Sequence, residues 1–324
     1  MGFGNYSHEA HRAITDQRSG LAREQIFKQT RCHPLMDPHG VRARESRDSA
    51  SHPDSIGIVF ALDVTGSMGQ IPDLLARREL PTFMTTVLSL GITSPQVLFM
   101  AVGDAYSDRA PLQVGQFESA AGEMDQWLTS SFLEGNGGGQ GHETYELALY
   151  FAARHTEMDC WTKRKKRGYF LMTGDEQPYP QVSHTQVKQL IGDDLGEDIP
   201  VAGIVRILRE TYEPFFLIPD PARRSRCERV WRDLLGDHVV CMESPDDTCH
   251  VSAGLVGLSE GVVADLDQLA RRLESVGVSR DRIGAVARAL TPFAATLGRD
   301  AAPRPRLDGA GLPMGDGKSG LQRA

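Results

Sequence analysis

An α/β fold, an open, mostly parallel and doubly wound six-stranded sheet with one antiparallel edge strand, is what this 324-residue sequence predicts. Three observations predict it. Apolar runs rich in β-branched residues, such as "SIGIVFALD" from Ser55, read as central parallel strands buried on both faces. Stretches with apolar residues at helical spacing separate those runs. Carboxylates and Gly-rich turns stand just past the runs, at the rim where sheets of this kind bind ligands.

The elements follow in order. Residues 1–54 are polar, carry five of the ten histidines and read as an arm lying on the main domain. Within the arm, "SHEAHRAITDQRSGLAREQIFKQ" predicts one amphipathic helix, and "RCHPLMDPHGVRARESRDSASHP" a loop broken by Pro and Gly. The main domain spans 55–245. Its first strand is followed by "GQIPDLLARRELPTFMTTVLSLG", helical in period with a kink or break expected at Pro81. "PQVLFMAVGDA" is the second strand, and "APLQVGQFES" an edge strand joined to it by a hairpin through "YSDR". A helix, "SAAGEMDQWLTSSF", and a Gly-rich loop, "LEGNGGGQG", come next. The helix "HETYELALYFAARHTE" leads to the strand "RGYFLMTGD". Then "VSHTQVKQLIG" is helical, "IPVAGIVRIL" a strand, "PARRSRCERVWRDLLG" helical and "DHVVCME" the last strand. Residues 246–297 form a C-terminal helical extension, with Leu266, Leu269, Leu273, Val276 and then Ile283, Val286, Leu290 at helical spacing. The tail 298–324, rich in Gly, Pro and charge, is expected to be disordered.

Composition narrows the function classes. The hydrophobic share of 40% and charged share of 24% are ordinary for a soluble globular chain. There is no apolar run of about 18 residues and no signal-peptide core, so no membrane role is expected. Five scattered cysteines without metal-finger or redox spacing point to reduced thiols and a cytoplasmic location. A net charge of -8 argues against nucleic acid as a partner. The basic runs "TKRKKR" and "ARRSRCER" read as solvated connections. His8 and His11 in "HEAH" lack the H-E-x-x-H spacing of a zinc protease. "GDGKSG" lacks the upstream glycine of a phosphate loop, Leu312 standing in its place.

The chemistry concentrates in "FALDVTGSMGQ", residues 60–70, where Asp63, Thr65 and Ser67 stand at alternating positions past a strand. A metal ion, a phosphoryl group or a capped helix start would each use such a turn. Thr144 opens a helix after the Gly-rich loop, and Asp175 ends the strand "YFLMTGD". Hard divalent cations take oxygen ligands, and neutral hydroxyls with one or two carboxylates leave the ion underneutralised, seeking an anionic ligand from a partner.

These three elements in this order resemble the von Willebrand factor type A domain and its metal-ion-dependent adhesion site. "DVTGS" matches the family's D-x-S-x-S turn with Thr65 at the middle position, "GGQGHETYELAL" matches the loop that offers Thr144, and "LMTGDEQ" the one that offers Asp175. The resemblance covers about residues 55–245 and implies Mg²⁺ or Mn²⁺ held by Asp63, Thr65, Ser67, Thr144 and Asp175. It departs at one place: the family's T-D-G is here Thr173-Gly174-Asp175-Glu176, so Asp175 or Glu176 faces the metal, with Asp175 preferred. Asp104, after the second strand, is either a further metal group or a turn-forming Asp.

The resemblance implies a protein-binding module, not an enzyme, that recognises a partner's carboxylate through the ion. Within the family the resemblance implies the intracellular bacterial kind, which often works beside an AAA+ ATPase or in stress-response systems. Two alternatives stand against it. One is a Mg²⁺-dependent phosphoester hydrolase, for which His142 and Glu143 are the only proton-transfer groups in reach; a D-x-D-x-T phosphatase would need Asp at Thr65. The other is a scaffold with a vestigial metal site. Glu45 or Asp48 in the arm would, if the arm closed over the rim, serve as an internal sixth ligand.

Overall fold

The computed structural model describes residues 4–134 and 141–297. The Gly-rich stretch 135–140 and the tail 298–324, including its expected disorder, lie outside the described residues. The sheet consists of β1 (Ile56–Asp63), β2 (Pro95–Val102), β3 (Leu112–Val114), β4 (Gly168–Thr173), β5 (Tyr212–Ile218) and β6 (Val239–Cys241). The strand order is β6-β5-β4-β1-β2-β3, and every neighbouring pair is parallel except the antiparallel β2–β3 edge. The predicted α/β sheet with one antiparallel edge is therefore what the chain forms.

All eight residues of β1 are buried, which is why the run shows no polar alternation. Its side chains still alternate between faces. Ile58, Phe60 and Leu62 enter one core, while Val59 and Ala61 enter the other. The second core is closed by helices α5 (Tyr145–Arg154), α6 (His184–Leu190), α7 (Val201–Thr211) and α8 (Arg224–Leu235). The first is closed by α2 (Gln70–Leu74), α3 (Leu80–Ser89), α4 (Ala121–Thr129), α9 (Thr248–Ser259), α10 (Leu266–Ser275) and α11 (Arg280–Leu297). In the arm, α1 (His8–Asp16) packs beside α4.

Two sequence expectations need correction. "IPVAGIVRIL" is not a strand: α7 covers Val201–Thr211, and its buried residues Val201, Ile204, Val205 and Leu208 follow the i, i+3, i+4, i+7 rule. The fifth strand is instead β5, "YEPFFLI", whose Pro214 disguises it because proline is rare in a central strand. The arm does not form one helix. It breaks after Asp16 and resumes only as a single turn at Arg23–Ile26. Helix α9 lies within the helical extension expected over 246–297 but was not singled out there, because residues buried on every side leave no helical stripe to detect. The expected interruption near Pro81 is present as a π-helical turn at Leu75–Glu79, after which α3 restarts with Pro81 in its first turn, where a missing N–H costs nothing.

Register brings one end of the sheet into line. Asp63 pairs with Val102, and Leu62 and Leu217 both pair with Thr173. The segments that follow β1, β2 and β4 therefore leave the sheet side by side. All five cysteines are free thiols. Among the described residues no helix is long and apolar enough to cross a membrane.

Candidate metal centre

Asp63 is the last residue of β1 and is fully buried. Its Oδ1 accepts from the Thr65 amide at 2.9 Å and the Thr65 hydroxyl at 2.7 Å. Its Oδ2 accepts from the Tyr145 hydroxyl at 2.5 Å. Thr65 precedes a 3-10 turn, Gly66–Gly69, but its side chain makes no capping bond there. The hydroxyl serves Asp63, which removes the plain helix-cap account of this Thr. Ser67 lies within the same turn; its side chain is outside the described residues.

Thr144 precedes α5 and is fully buried. Its hydroxyl donates to the Gly103 carbonyl at 2.5 Å and accepts from the Ala105 amide at 3.2 Å, tying the start of α5 to the end of β2. The residues on either side of Thr144 both lie by the β1 turn: Tyr145 bonds Asp63, and Glu143 is close enough for the Asp63 charge to act on it. Asp175 is buried beyond β4, close enough for its charge to act on Asp63, and Arg223 Nε lies 3.7 Å from its Oδ2. The structure thus gathers Asp63, Thr65, Thr144 and Asp175 at one rim.

The two further candidates sit differently. Asp104 is buried in its own Asx turn, accepting from the Tyr106 amide at 3.2 Å and Ser107 Oγ at 2.9 Å. It also accepts from the Tyr179 hydroxyl at 3.1 Å. Glu176 points toward Arg226 at 3.3 Å, and its carbonyl accepts from Trp231 Nε1 at 3.0 Å.

Position 174 has no room for a side chain. A Cβ there would lie 2.4 Å from Tyr145 Oη, 2.7 Å from Tyr145 Cζ and 2.9 Å from Phe216 Cζ. Tyr145 fills the space a side chain at 174 would need, held edge-on between Phe216 and Trp231 with both ring centroids 5.6 Å away. The carboxylate stands one position on, at 175.

Burial dominates the electrostatics. It pushes the Asp63 carboxyl up to about 7, opposed by the Tyr145 and Thr65 hydrogen bonds and assisted by the Asp175 charge. Glu143 is pushed up to about 9, first by burial and then by the charges of Asp63, Asp108 and Asp104. Sequence reasoning saw Glu143 only as a proton-transfer group, and it missed Tyr145 and Arg223. No local spacing announces a contact between positions 63 and 145.

The other sequence features are structural. In the basic run, Lys163 pairs with Asp159 at 2.7 Å, Arg164 with Asp48 at 2.7 Å and Arg167 with Glu213 at 3.0 Å. Asp48 also accepts from Ser55, at the start of β1, so it sits at the opposite end of the strand from Asp63, about 25 Å away at strand rise. Glu45 pairs with Arg47 at 2.5 Å, in a short strand that runs beside Thr156–Met158. Glu45 and Asp48 are therefore not internal ligands of the rim. Among the described residues no three of His, Cys, Asp and Glu are grouped to hold a metal ion.

The donor set at the rim nevertheless suits a hard cation. All its atoms are oxygens, the Thr65 and Thr144 hydroxyls have turned their protons to other acceptors, and Glu143 Oε2 is buried without a hydrogen-bond donor.

No family model and no curated protein matches this sequence. Among solved structures it is similar to the pilus adhesin SpaC from Lactobacillus rhamnosus GG in its open conformation, at 11% identity over 70% of this chain and 31% of that one, with a TM-score of 0.43. It is also similar to a von Willebrand factor type A protein from Catenulispora acidiphila, at 12% identity over 64% of this chain and 43% of that one, with a TM-score of 0.36. The chain spans less than half the length of either structure.

Proposed function

We propose that this chain is a protein-binding module of the von Willebrand factor type A kind, using its rim to hold Mg²⁺ or Mn²⁺ and through it a partner's Asp or Glu. One observation carries this reading: Tyr145, next to Thr144, donates to Asp63 Oδ2 at 2.5 Å, so the segment before α5 and the β1 turn converge there, with Asp175 close by. Asp63, Thr65, Ser67, Thr144 and Asp175 are the residues that would hold the ion. When bound, the ion supplies a hard positive centre that a carboxylate can complete.

The chain's own residues prepare that centre. Tyr145 and Thr65 fix both oxygens of Asp63, and the Gly103 carbonyl turns the Thr144 proton aside. Arg223 and Arg226, beside Asp175 and Glu176, place positive charge at the edge where an acidic partner would arrive. We place an AAA+ ATPase or another component of a stress-response system as the class of partner.

Calorimetric titration of Mg²⁺ and Mn²⁺ into the protein and its Asp63→Ala variant tests this. Saturable binding should weaken on the order of 100-fold or more in the variant, with circular dichroism unchanged. Partner capture should be lost in the same variant and on adding chelator. Partner binding that survives once the cation is gone sinks the mechanism and leaves a scaffold.

A further inference from the structure

We infer that the arm is a strap on the helix that leaves the β1 turn, fastened by Arg18 to a backbone carbonyl that Pro81 leaves without a donor. The strap does not depend on a cation at the rim.

The π turn at Leu75–Glu79 is bonded from i to i+5, the Leu80 amide donating to the Leu75 carbonyl. In that pattern the next carbonyl, Ala76, would take the amide of residue 81. Residue 81 is proline and has no N–H. Pro81 costs α3 nothing, so the loss falls on the turn before it. Ala76 is 1% exposed, so water does not supply the missing donor. Arg18 Nη1 supplies it from the arm, at 3.3 Å.

This contact belongs to a larger grip. The Arg18 guanidinium also donates to both oxygens of Asp125 on α4, itself buried. Arg77 Nη1, in the π turn, donates back to the Arg18 carbonyl at 3.0 Å. Further along the arm, Arg23 and Phe27 share a cleft of about 220 Å³ with Val64, Gly66 and Gly69 of the β1 turn. From the other side Arg78 Nη2 holds Asp246 at 3.0 Å, and Arg282 Nε of α11 holds Asp247 at 3.3 Å. The arm and the C-terminal extension thus meet on the same five residues.

Continuity carries the effect to the rim. Gly66–Gly69 runs into α2, and α2 into the π turn, without a break. A helix with an unserved buried carbonyl in its middle is weakest there. With the arm docked, that carbonyl is served and the segment after Asp63 is held. With the arm displaced, it is orphaned, and the segment loosens back to the β1 turn. Whatever draws the arm away changes the rim without touching it.

Hydrogen exchange on the full chain tests the strap in four proteins: the parent, Arg18→Ala, Pro81→Ala and the double variant. In Arg18→Ala the amides of residues 66–80 should exchange roughly tenfold faster, the effect of losing one hydrogen bond to a buried carbonyl. Pro81→Ala returns an N–H to the helix. Adding Arg18→Ala to it should therefore speed the same amides by less than about threefold. Faster exchange confined to residues 4–20, or the same factor in both backgrounds, overturns the inference. Should Arg18→Ala not fold, Arg18→Lys carries the same comparison, since it keeps a cation beside Asp125 but withdraws the fork that spans Asp125 and Ala76.

Discussion

Gly174 leaves room for the hydroxyl end of Tyr145 and for nothing more. Adding a single methyl in Gly174→Ala drives a Cβ to 2.4 Å from Oη and 2.7 Å from the ring carbon that bears it. We expect a loss of about 1–3 kcal/mol in urea unfolding, the usual cost of overpacking. Tyr145→Phe should not rescue it, because the ring carbon remains in the way. A stability equal to the parent's would show that Tyr145 moves freely and does not fix Asp63. At this scale the sequence disclosed what was local. Asp63 and Thr65 are two apart, and their turn chemistry is written in five consecutive letters. The Tyr145–Asp63 bond joins residues 82 apart, and a contact of that reach leaves no mark on spacing. The burial of Glu143 was hidden for the same reason: an acid beside a Thr looks solvated until the fold closes over it.

Elements were legible where their period was plain. β1, β2 and β4 announced themselves as unbroken apolar runs, and α8 as a stripe of Cys227, Trp231 and Leu235. The fifth strand was misplaced because Val201–Thr211 is β-branched in composition but helical in spacing, and spacing is what packing reads. The arm's helix was overextended through residues 17–22, where Gly20 lowers helix propensity. What anchors the arm is Arg18, which donates to both oxygens of Asp125 on α4 and to the Ala76 carbonyl at 3.3 Å. Removing it leaves a buried carboxylate unpaired. Arg18→Ala should destabilise by roughly 1–3 kcal/mol and speed hydrogen exchange in α1, while amides of β1 keep their protection. Unchanged exchange in α1 would mean that the helix is held by its apolar face alone.

Two buried histidines make a pH-dependent contribution to the stability of the whole molecule. His11 and His250 are buried and held down to about 4, chiefly by desolvation, with Arg18 and His8 acting on the first and Arg282 on the second. The unfolded chain takes up protons near pH 6.5, and the folded chain does so only near 4. The stability that these groups contribute is present above pH 6.5 and is lost as the pH falls through that window, on the order of 2–3 kcal/mol each by pH 4. Buried Asp63 and Glu143 act in the opposite sense over the same range, so the histidine part is read as a difference: the stability of the parent relative to His250→Gln should fall between pH 7 and 4.5 in urea unfolding, and a difference constant over that range excludes the effect. The overall architecture was the most legible level, because strands buried on both faces leave few topologies.

One feature of that architecture bears on how the chain is made. The sheet face bearing Ile58, Phe60, Leu171 and Phe215 is covered in part by the last helix, where Phe293 meets Phe215 edge-on at 5.0 Å. Every strand has been synthesised once Cys241 is added, yet this cover arrives about 50 residues later, several seconds at ribosomal speed. During that interval the nascent chain carries the finished strands of the sheet with part of one apolar face still uncovered, open to solvent or to a chaperone.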